Sequence, residues 1–567
     1  MFLAIEICLT GIFLALAYTY APNWDRLSGP LLHAFIWLAD RKSTAVAAVG
    51  LAAIAIRLAL LRVLPVPAPG IHDEFSHLLL ADTLAHGRLA NPTHPMWVHF
   101  ETFHVNWHPA YASMYFPGEA LFLAFGQTVL GHPFWGVVLS CGLMCGAICW
   151  ALQGWMPEKW ALCGGVLAVF RLGTLSYWAD SYWGGAVAAL GGALVLGAFP
   201  RIRKTAAIRD ALFLGAGMVF VALTRPFEGI FLCVPIVIGL ATWAFRQDTY
   251  SAKLLLRRVA VPAGLTLTVG VAWLGFYFFR VTGSPFTTPY RVNIRTYGLI
   301  YFPWERITPV APFHHLMMER FYRTVTLLRD YNFAHRHPLE LLAAKMFVVW
   351  LFYFGPLLTV PWLAWLIVRR KRRLWSSVTP EVRFLLILCA AAYLPGMLTI
   401  YVGQPHYVAP FAAAFYAATI LVMRDLNRTA SGRCLVRSVA IMATVLFVSV
   451  TVADIFRSGP NPSLVRTWCT PQVQNLTRAR VVVELERIPG KHLVIVRYRP
   501  DHDFAGDEWV YNGADIDTSK VVFARDMGSD NRELIDYFKG RQVWFAEPDE
   551  GSSKLLPYRP GPESSGM

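Results

Sequence analysis

The amino-acid sequence predicts a polytopic α-helical membrane protein with a small α/β domain at its C-terminal end. Of its 567 residues, 56% are hydrophobic and 15% are charged, and the mean hydropathy is +0.44. An average soluble protein carries about 25% charged residues. The apolar residues form long runs in which Gly and Pro follow no fixed period, so collagen-like and disordered chains are excluded. This composition argues against a soluble globular enzyme.

About twelve segments have the roughly 20 mostly apolar residues that a transmembrane helix needs. They are residues 2–20, 44–64, 134–155, 160–177, 183–200, 211–224, 228–245, 259–279, 345–368, 384–401, 408–423 and 438–456. The first segment resembles a secretory signal peptide in length, but it has no basic n-region and contains Glu6. We therefore expect it to be a span.

The positive charge lies in the apolar part of the chain. The net charge of +15 divides into −3 for residues 470–567 and +18 for the residues before them. The excess is concentrated in short loops at residues 201–209, 253–258, 369–373 and 424–437. Short basic loops between spans indicate the cytoplasmic side of the membrane. Membrane topology thus explains the charge, and nucleic-acid binding is not needed to account for it.

Alternation across the spans places four segments on the opposite, external side. They are residues 65–134, 179–182, 280–340 and everything after residue 457. In the last of these, residues 493–498, 521–524 and 543–546 are β-rich, and residues 478–488 and 531–538 are helix-like. We expect a transmembrane domain over residues 1–457 and an extracytoplasmic α/β domain over residues 458–567.

Cysteine and glycine usage indicates packing rather than chemistry. Eight of the nine cysteines lie in or beside apolar segments, which predicts no disulfide framework. Cys141, Cys145 and Cys149 share one helical face, but no acid or His accompanies them as a metal ligand. Gly191 and Gly192 are expected to allow close approach of two helices.

The first external loop is rich in ionisable residues. It begins Ile71-His72-Asp73-Glu74-Phe75-Ser76-His77, continues through the helix-like residues 81–87, and later reads Met114-Tyr115-Phe116-Pro117-Gly118-Glu119. An Asp-Glu pair shortly after an N-terminal span, followed by these two elements, resembles the GT-C membrane glycosyltransferases. The resemblance is to the bacterial aminoarabinose transferase and protein O-mannosyltransferase-like group, and it covers residues 44–245.

The resemblance implies a GT-C-like fold, an external active site and a sugar donor linked to a polyprenyl phosphate, with Asp73 as the catalytic base. It also implies a bacterial inner membrane, with a glycan, lipid or protein as acceptor. The chemistry agrees, because a lipid-phosphate leaving group departs as an anion and needs cations, whereas the acceptor hydroxyl must lose a proton to a base. A glycosidase that cleaves an unactivated ether would instead need a paired acid and base.

Three further acidic residues are candidates for catalysis or substrate binding. Glu101 could act as a second catalytic acid that orients the acceptor or holds a divalent metal with a nearby His, and the competing interpretation is a solvated loop carboxylate. Glu74 is a candidate for substrate binding because of its place beside Asp73. Asp180 stands at the external mouth of two spans among aromatic residues, where the cost of a charge near lipid argues for a function in substrate binding.

Cations for the leaving group are expected at the external surface. Arg225 lies in the turn between two spans and could clamp the donor phosphate, or it could form a local ion pair with Glu228. Arg291, Arg295, His406 and Tyr407 are further phosphate or acceptor contacts by location. Arg57 lies inside a span near its external end, where snorkelling toward water is the simpler interpretation.

A metal cofactor is left open by the sequence. Seven His lie between residues 72 and 108 of the first external loop, and Asp73 and His77 are one helical turn apart, so both could contribute ligands. Irregular spacing and the lack of a zincin pattern favour hydrogen-bonded histidines instead.

Two other functions compete with glycosyl transfer. A transporter or flippase of lipid-linked glycans should show related halves and ionisable residues on broken helices near mid-membrane. A non-catalytic scaffold would not need the acids and His that are concentrated in one loop. No nucleotide-binding glycine loop supports an ATP-driven or nucleotide-sugar mechanism.

Overall fold

The computed structural model describes residues 2–20, 29–307, 310–369, 379–456, 467–470, 474–503, 507–550 and 555–559. Its N-terminal half is mostly helical and contains one short hairpin. The elements are α1 (Phe2–Tyr20), α2 (Gly29–Ala39), α3 (Lys42–Ala59), α4 (His72–Ala85), α5 (Trp97–Phe100), β1 (Val105–Asn106), β2 (Ala112–Ser113), α6 (Gly118–Leu130), α7 (Phe134–Trp155), α8 (Glu158–Arg171), α9 (Ala186–Thr205), α10 (Ile208–Thr224), α11 (Pro226–Arg246) and α12 (Ala252–Thr282).

The C-terminal half begins with helices and ends in a sheet. The elements are α13 (Pro289–Tyr297), α14 (Leu316–Glu319), a π-helical segment (Arg320–Asp330), α15 (Tyr331–Arg336), α16 (Pro338–Tyr353), α17 (Gly355–Arg369), α18 (Pro380–Ala391), α19 (Leu394–Met397), a 3-10 segment (Pro405–Phe411), α20 (Ala412–Leu426), α21 (Ala430–Ile455), α22 (Leu476–Arg487), β3 (His492–Val496), β4 (Val521–Arg525), α23 (Asn531–Tyr537), β5 (Gln542–Ala546) and β6 (Leu556–Pro557). The predicted fold class, a helical membrane protein with a small C-terminal sheet region, is confirmed.

Every predicted span corresponds to helix. Among the described residues, eight helices are long and apolar enough to cross a membrane, and α16 with α17 adds a ninth although the pair is bent by 98°. The three other predicted spans are α1, α8 and α10, of which α8 and α10 have 14 and 17 residues. The loop predicted at residues 25–42 contains α2, and its residues 25–28 lie outside the described ranges, as do residues 370–373 of a basic loop and the predicted domain boundary at residue 457.

One predicted span was too long. Residues 160–177 were expected to cross the membrane, but helix α8 ends at Arg171 and a buried irregular loop continues to Gly185. Hydroxyl groups in this loop donate to nearby backbone oxygens, Ser176 to Leu172 at 2.7 Å and Ser181 to Tyr177 at 2.6 Å. Such local bonds compete with the helical hydrogen-bond pattern.

Glycine contacts bring the helices close together, as predicted. A Cβ added to Gly192 in α9 would lie 1.8 Å from the Pro410 carbonyl oxygen, and one added to Gly217 in α10 would lie 2.6 Å from the Gly191 oxygen. The small residues therefore let α9 contact both α10 and the 3-10 segment at backbone distance.

The two ends of the bundle differ in chemistry. At one end, Lys42 pairs with Glu158 at 2.9 Å, and Tyr250 donates to the Lys204 oxygen at 2.9 Å. At the other end, the Arg57 side chain donates to the Leu64 oxygen at 2.8 Å, beside Asp180. The loops predicted to be cytoplasmic and external thus lie at opposite ends.

The C-terminal sheet has the strand order β4-β3-β5-β6. The pairings of β3 with β4 and with β5 are parallel, starting with His492 opposite Val521 and Gln542, while β6 is antiparallel to β5. All five residues of β3 are buried. The three predicted strands and both predicted helices of this region are present, and β6 is the strand that the sequence did not predict.

Candidate active site

Helix α4 presents Asp73 in its first turn. The residues before it form an extended turn, and Glu74 accepts the backbone N–H groups of Gly70 at 2.9 Å and Ile71 at 3.3 Å. These bonds satisfy amide groups that a helix start otherwise leaves without partners. Glu74 is fully buried and also accepts the Tyr182 N–H at 3.1 Å. Its carboxylate therefore fixes the start of the helix that carries Asp73.

The Asp73 carboxylate is surrounded by side chains that can exchange protons. The Tyr115 hydroxyl donates to its Oδ1, His104 Nδ1 lies 3.5 Å from the same oxygen, and His72 Nε2 lies 3.3 Å from Oδ2. Burial by itself raises the pKa of Asp73, but the charge of His72 and the hydrogen bonds from His104 and Tyr115 hold the pKa well below its ordinary value. Asp73 is 16% exposed and stays a carboxylate at neutral pH.

His104 occupies an unusual backbone conformation. Its φ of 59° lies in the left-handed region, which a non-glycine residue adopts only at a cost. Its N–H donates to the Tyr322 hydroxyl at 2.9 Å, and its carbonyl accepts the Ser76 hydroxyl at 2.7 Å. The ring Nδ1 lies 2.8 Å from the Tyr115 hydroxyl. Sequence reasoning did not assign His104 or Tyr115 a role, since no local pattern marked the left-handed turn.

Arg225 lies between α10 and α11, where Pro226 begins the second helix. The residue before a proline is excluded from helical geometry, and Arg225 has φ −134° and ψ 64°. Its guanidinium lies over the ring of Tyr407, 4.6 Å from the ring centre. Within the described ranges it makes no side-chain hydrogen bond and no ion pair, so the alternative of a contact ion pair with Glu228 is not formed. Burial lowers the pKa of Arg225, but the charge of Glu228 and the neighbouring tyrosines raise it above its ordinary value, so Arg225 and Glu228 are coupled through space without a contact.

Glu119 is a second buried acid close to this arginine. It lies in the first turn of α6, is 6% exposed, and its carboxylate has no hydrogen-bond partner in the described part of the chain. Burial raises the pKa of Glu119 to about 8, although the charge of Arg225 acts in the opposite direction. The carboxyl group is therefore largely neutral at pH 7. Glu119 is the last residue of the motif at residues 114–119, and no function was predicted for it from the sequence.

Glu101 is buried and lies in a different set of contacts from Asp73. It accepts the Tyr297 hydroxyl at 3.0 Å, and His314 Nδ1 lies 3.0 Å from its other oxygen. The interpretation as a solvated loop carboxylate is wrong, because the residue is only 3% exposed. A catalytic role for Glu101 stays a prediction.

Asp180 pairs with Arg57. The Arg57 Nη2 and Asp180 Oδ1 atoms are 3.2 Å apart, and each side chain is 1% exposed. Arg57 also donates to the Ala179 oxygen at 3.0 Å. Snorkelling was the wrong interpretation of Arg57, because its guanidinium is directed into the protein and holds the buried loop after α8. These contacts favour a structural role for Asp180 over substrate binding.

The other residues predicted to contact the phosphate or the acceptor lie in different places. Tyr407 lies under Arg225, whereas His406 is 1% exposed and its Nδ1 lies 2.7 Å from the Tyr177 hydroxyl. Arg291 and Arg295 are exposed on α13. Of these four residues, Tyr407 is the one that the structure brings to Arg225.

Among the described residues, one group of side chains near Asp73 could bind a divalent metal. His72, Asp73 and His104 each offer a ligand atom, and these atoms lie within 4.8 Å of one another. Binding through His104 Nδ1 would have to displace its contact with the Tyr115 hydroxyl. His77, the predicted partner, is not in this set. Its ring stacks on Tyr115 at 4.4 Å, and burial lowers its pKa to about 3.

Comparison with solved structures returns membrane glycosyltransferases. The Archaeoglobus fulgidus oligosaccharyltransferase complexed with Zn and sulfate is 13% identical, with a TM-score of 0.45 over 80% of this chain and 60% of its own. ArnT from Cupriavidus metallidurans, bound to undecaprenyl phosphate, is 12% identical, with a TM-score of 0.47 over 88% of this chain and 92% of its own. Both are GT-C glycosyltransferases, the family that the sequence resembles.

The chain spans about 60% of the length of the archaeal oligosaccharyltransferase. No family model and no curated protein sequence matches the chain. The function is therefore argued below from the residues of this chain.

Proposed function

We propose that this chain is an integral-membrane glycosyltransferase that moves a sugar from a polyprenyl-phosphate donor to an extracytoplasmic acceptor. The acceptor is a glycan, a lipid or a protein, and the membrane is the bacterial inner membrane. The site and the C-terminal sheet both lie outside the cytoplasm. Asp73 is the base, and Arg225 holds the phosphate.

One observation carries this proposal. A carboxylate and a guanidinium stand in one neighbourhood without being paired to each other. Both charges act on the His77 ring, and both act on the Tyr115 hydroxyl. Arg225 is half-buried, and Glu228, the opposite charge that acts most strongly on it, lies beyond ion-pair distance. This arrangement suits a reaction in which Asp73 accepts a proton and Arg225 binds the anion that is released.

The reaction follows from these positions. The acceptor hydroxyl gives its proton to Asp73, and its oxygen forms a bond to the anomeric carbon of the sugar. The bond between that carbon and the phosphate oxygen breaks, and the bond electrons leave with the phosphate. Arg225 stabilises the departing anion through two N–H groups.

The low pKa of Asp73 is compatible with this role. A carboxylate stabilised by three neighbours is a weak base toward a free alcohol. Bond formation to an electron-poor anomeric carbon makes the acceptor hydroxyl strongly acidic, so a weak base suffices late in the reaction.

A flippase or transporter of lipid-linked glycans is the second candidate, and one observation favours it. The axes of α16 and α17 meet at 98°, and α16 carries the buried Lys345. Broken helices with ionisable residues are typical of transporters. The Lys345 ammonium, however, donates to the Gly396 and Thr399 oxygens, which fixes it within the fold.

The experiment that separates the two functions measures bond cleavage. Purified protein in lipid nanodiscs is incubated with radiolabelled undecaprenyl-phosphate-linked hexoses and pentoses and with envelope acceptors. We expect sugar to appear on the acceptor and free undecaprenyl phosphate to accumulate, and we expect Asp73→Asn to stop both. Asp330→Asn, a change of the same kind at a carboxylate that contacts Arg329 at 2.9 Å, is the matched control. Movement of intact donor across a vesicle membrane without cleavage would support the flippase instead.

The orientation can be tested separately. Reporter fusions after Gly118 and after Gly551 should both be active outside the cytoplasm, because basic loops alternate with these segments. A cytoplasmic reporter at either position would overturn the topology and the external site with it.

A further inference from the structure

The C-terminal sheet region contacts the backbone that carries two of the residues described above. We define residues 101–104 as the site segment, since it begins with Glu101 and ends with His104. The Arg525 Nε atom donates to the Glu101 carbonyl oxygen at 2.6 Å. The Tyr511 hydroxyl donates to the Phe103 carbonyl oxygen at 2.9 Å. Two carbonyls of the site segment are thus held by side chains from the far end of the sequence.

Arg525 is itself held rigidly. It ends β4, and its Nη2 atom lies 3.2 Å from Glu508 Oε2, with both side chains buried. The other Glu508 oxygen accepts the Trp509 N–H at 3.1 Å and the Val510 N–H at 2.9 Å. A planar guanidinium with two fixed bonds transmits the position of the sheet to the Glu101 carbonyl.

Helix α4 is contacted by the same region. The Phe75 ring, two residues after Asp73, stacks on Tyr511 with ring centres 4.4 Å apart and planes 8° apart. The Arg478 guanidinium lies 4.7 Å from the Phe75 ring and donates to the Tyr511 oxygen at 2.9 Å. Tyr511 therefore touches both the helix of Asp73 and the segment of His104.

The left-handed backbone of His104 needs such support. A non-glycine residue in this region is strained and persists only where surrounding contacts determine it. The bonds to Phe103 and Glu101 act directly upstream of His104. If they are lost, His104 can relax and its ring moves away from Asp73 and Tyr115.

We infer that the C-terminal sheet region is a positioning element of the active site, and that Tyr511 and Arg525 hold the site segment so that His104 meets Asp73. The inference concerns the assembly of the site and does not depend on which sugar or acceptor is used. Tyr511 and Arg525 act through the backbone and are positioning residues.

The test compares two tyrosines in the same interface. Tyr511→Phe removes the hydroxyl that bonds to the Phe103 carbonyl. Tyr111→Phe removes a hydroxyl that donates to the Asn512 oxygen at 3.0 Å, in the same contact between the loop and the sheet region but not on the site segment. We expect Tyr511→Phe to lower kcat by roughly 10- to 100-fold, with the donor KM and the melting temperature unchanged. Tyr111→Phe should keep the wild-type kcat.

Arg525→Lys tests the second contact. It keeps a positive charge beside Glu508 but loses the Nε bond to the Glu101 carbonyl oxygen, so we expect kcat to fall as in Tyr511→Phe, with the donor KM unchanged.

Hydrogen exchange gives a readout that is independent of the reaction. Amide exchange over residues 99–106, measured by mass spectrometry on the full-length protein in detergent, should accelerate in Tyr511→Phe and not in Tyr111→Phe. Equal kcat losses in the two variants, or unchanged exchange in Tyr511→Phe, would overturn the inference. Faster exchange in a protein that transfers no sugar would keep the inference and reject the proposed function.

Discussion

Two arginines at the same end of the bundle have opposite surroundings. Arg57 and Asp180 contact each other at 3.2 Å and are each 1% exposed. Arg225 lies over an aromatic ring and, among the described residues, contacts no acid at ion-pair distance, although Glu228, Asp73 and Glu119 share its neighbourhood. Arg57 is thus joined to an acid by a contact ion pair, whereas the Arg225 guanidinium has N–H groups that could bind a ligand.

The comparison shows that the contacts of a charged side chain indicate whether its role is structural or chemical. A closed pair such as Arg57 and Asp180 uses its attraction to hold two parts of the fold together. The charge of Arg225 is balanced through space by Glu228, and the guanidinium lies over the Tyr407 ring, so its N–H groups can still bond to an incoming anion. Removing one partner should therefore harm stability at the first site and chemistry at the second.

The largest effect is expected at the closed pair. Asp180→Asn leaves Arg57 buried and uncompensated, which costs about 3–5 kcal/mol of folding free energy. Thermal unfolding in detergent should show a large fall in melting temperature, while sugar transfer per folded molecule stays near the wild-type rate. The double variant Arg57→Met, Asp180→Leu should recover much of the loss. Unchanged stability with lost transfer would return Asp180 to the substrate site.

The next effect is expected at Asp73 and its sequence neighbour. Asp73→Asn keeps the size of the side chain but removes the proton acceptor, so transfer should fall by roughly 100-fold or more with little change in melting temperature. Glu74→Gln should do the reverse, because the Glu74 carboxylate accepts three backbone N–H groups at the start of α4 and in the buried loop after α8. Near-normal turnover of purified Asp73→Asn would move the base elsewhere, with Glu101 as the next candidate.

A smaller, graded effect is expected at Arg225. Arg225→Ala should raise the donor KM strongly, whereas Arg225→Lys keeps the charge, loses the bidentate geometry and should raise KM partially. Donor KM and melting temperature are measured for both variants and for Arg225→Ala with Glu228→Gln. Loss of stability alone, restored by the Glu228 change, would reject the phosphate clamp and direct the search to Arg291, Arg295 or His406.

The smallest effect is a change with pH at Glu119. Its pKa is raised to about 8, so the carboxyl group is neutral at pH 7 and gains a negative charge as the pH rises through that value. The new charge competes with phosphate for Arg225, and the donor KM of the wild type should rise above about pH 8. Glu119→Gln cannot ionise, and its KM should stay flat over the same range. A rise of equal size in both proteins would assign the pH effect to another group.

Much of the fold was predictable because hydrophobic runs are local. All twelve predicted spans correspond to helices, and the residues predicted as strands at 493–498, 521–524 and 543–546 lie in one sheet. The exception at residues 172–185 is a buried loop held by distant parts of the chain, through the Arg57 bond to the Ala179 oxygen and the Tyr182 N–H bond to Glu74.

The site was predictable only in part, because its geometry depends on distant contacts. Asp73 could be proposed from the resemblance to GT-C glycosyltransferases, and Arg225 from its place in the turn between two spans. The pairing of Arg57 with Asp180 joins residues 123 positions apart, and no sequence pattern encodes it. Likewise, His104 was one of seven similar histidines until the backbone turn at φ 59° brought its ring to Tyr115.

The contacts of the site segment also determine when, during translation, the site can be completed. Phe103 is bonded by a residue 408 positions later in the chain, and Glu101 by one 424 positions later. A ribosome adds about 5–20 residues per second, so these partners emerge roughly 20 to 80 s after the segment itself. The first external loop is thus already synthesised while the side chains that complete its shape do not yet exist. A nascent chain of this protein reaches the membrane without a finished active centre, and a chain that is terminated early never acquires one.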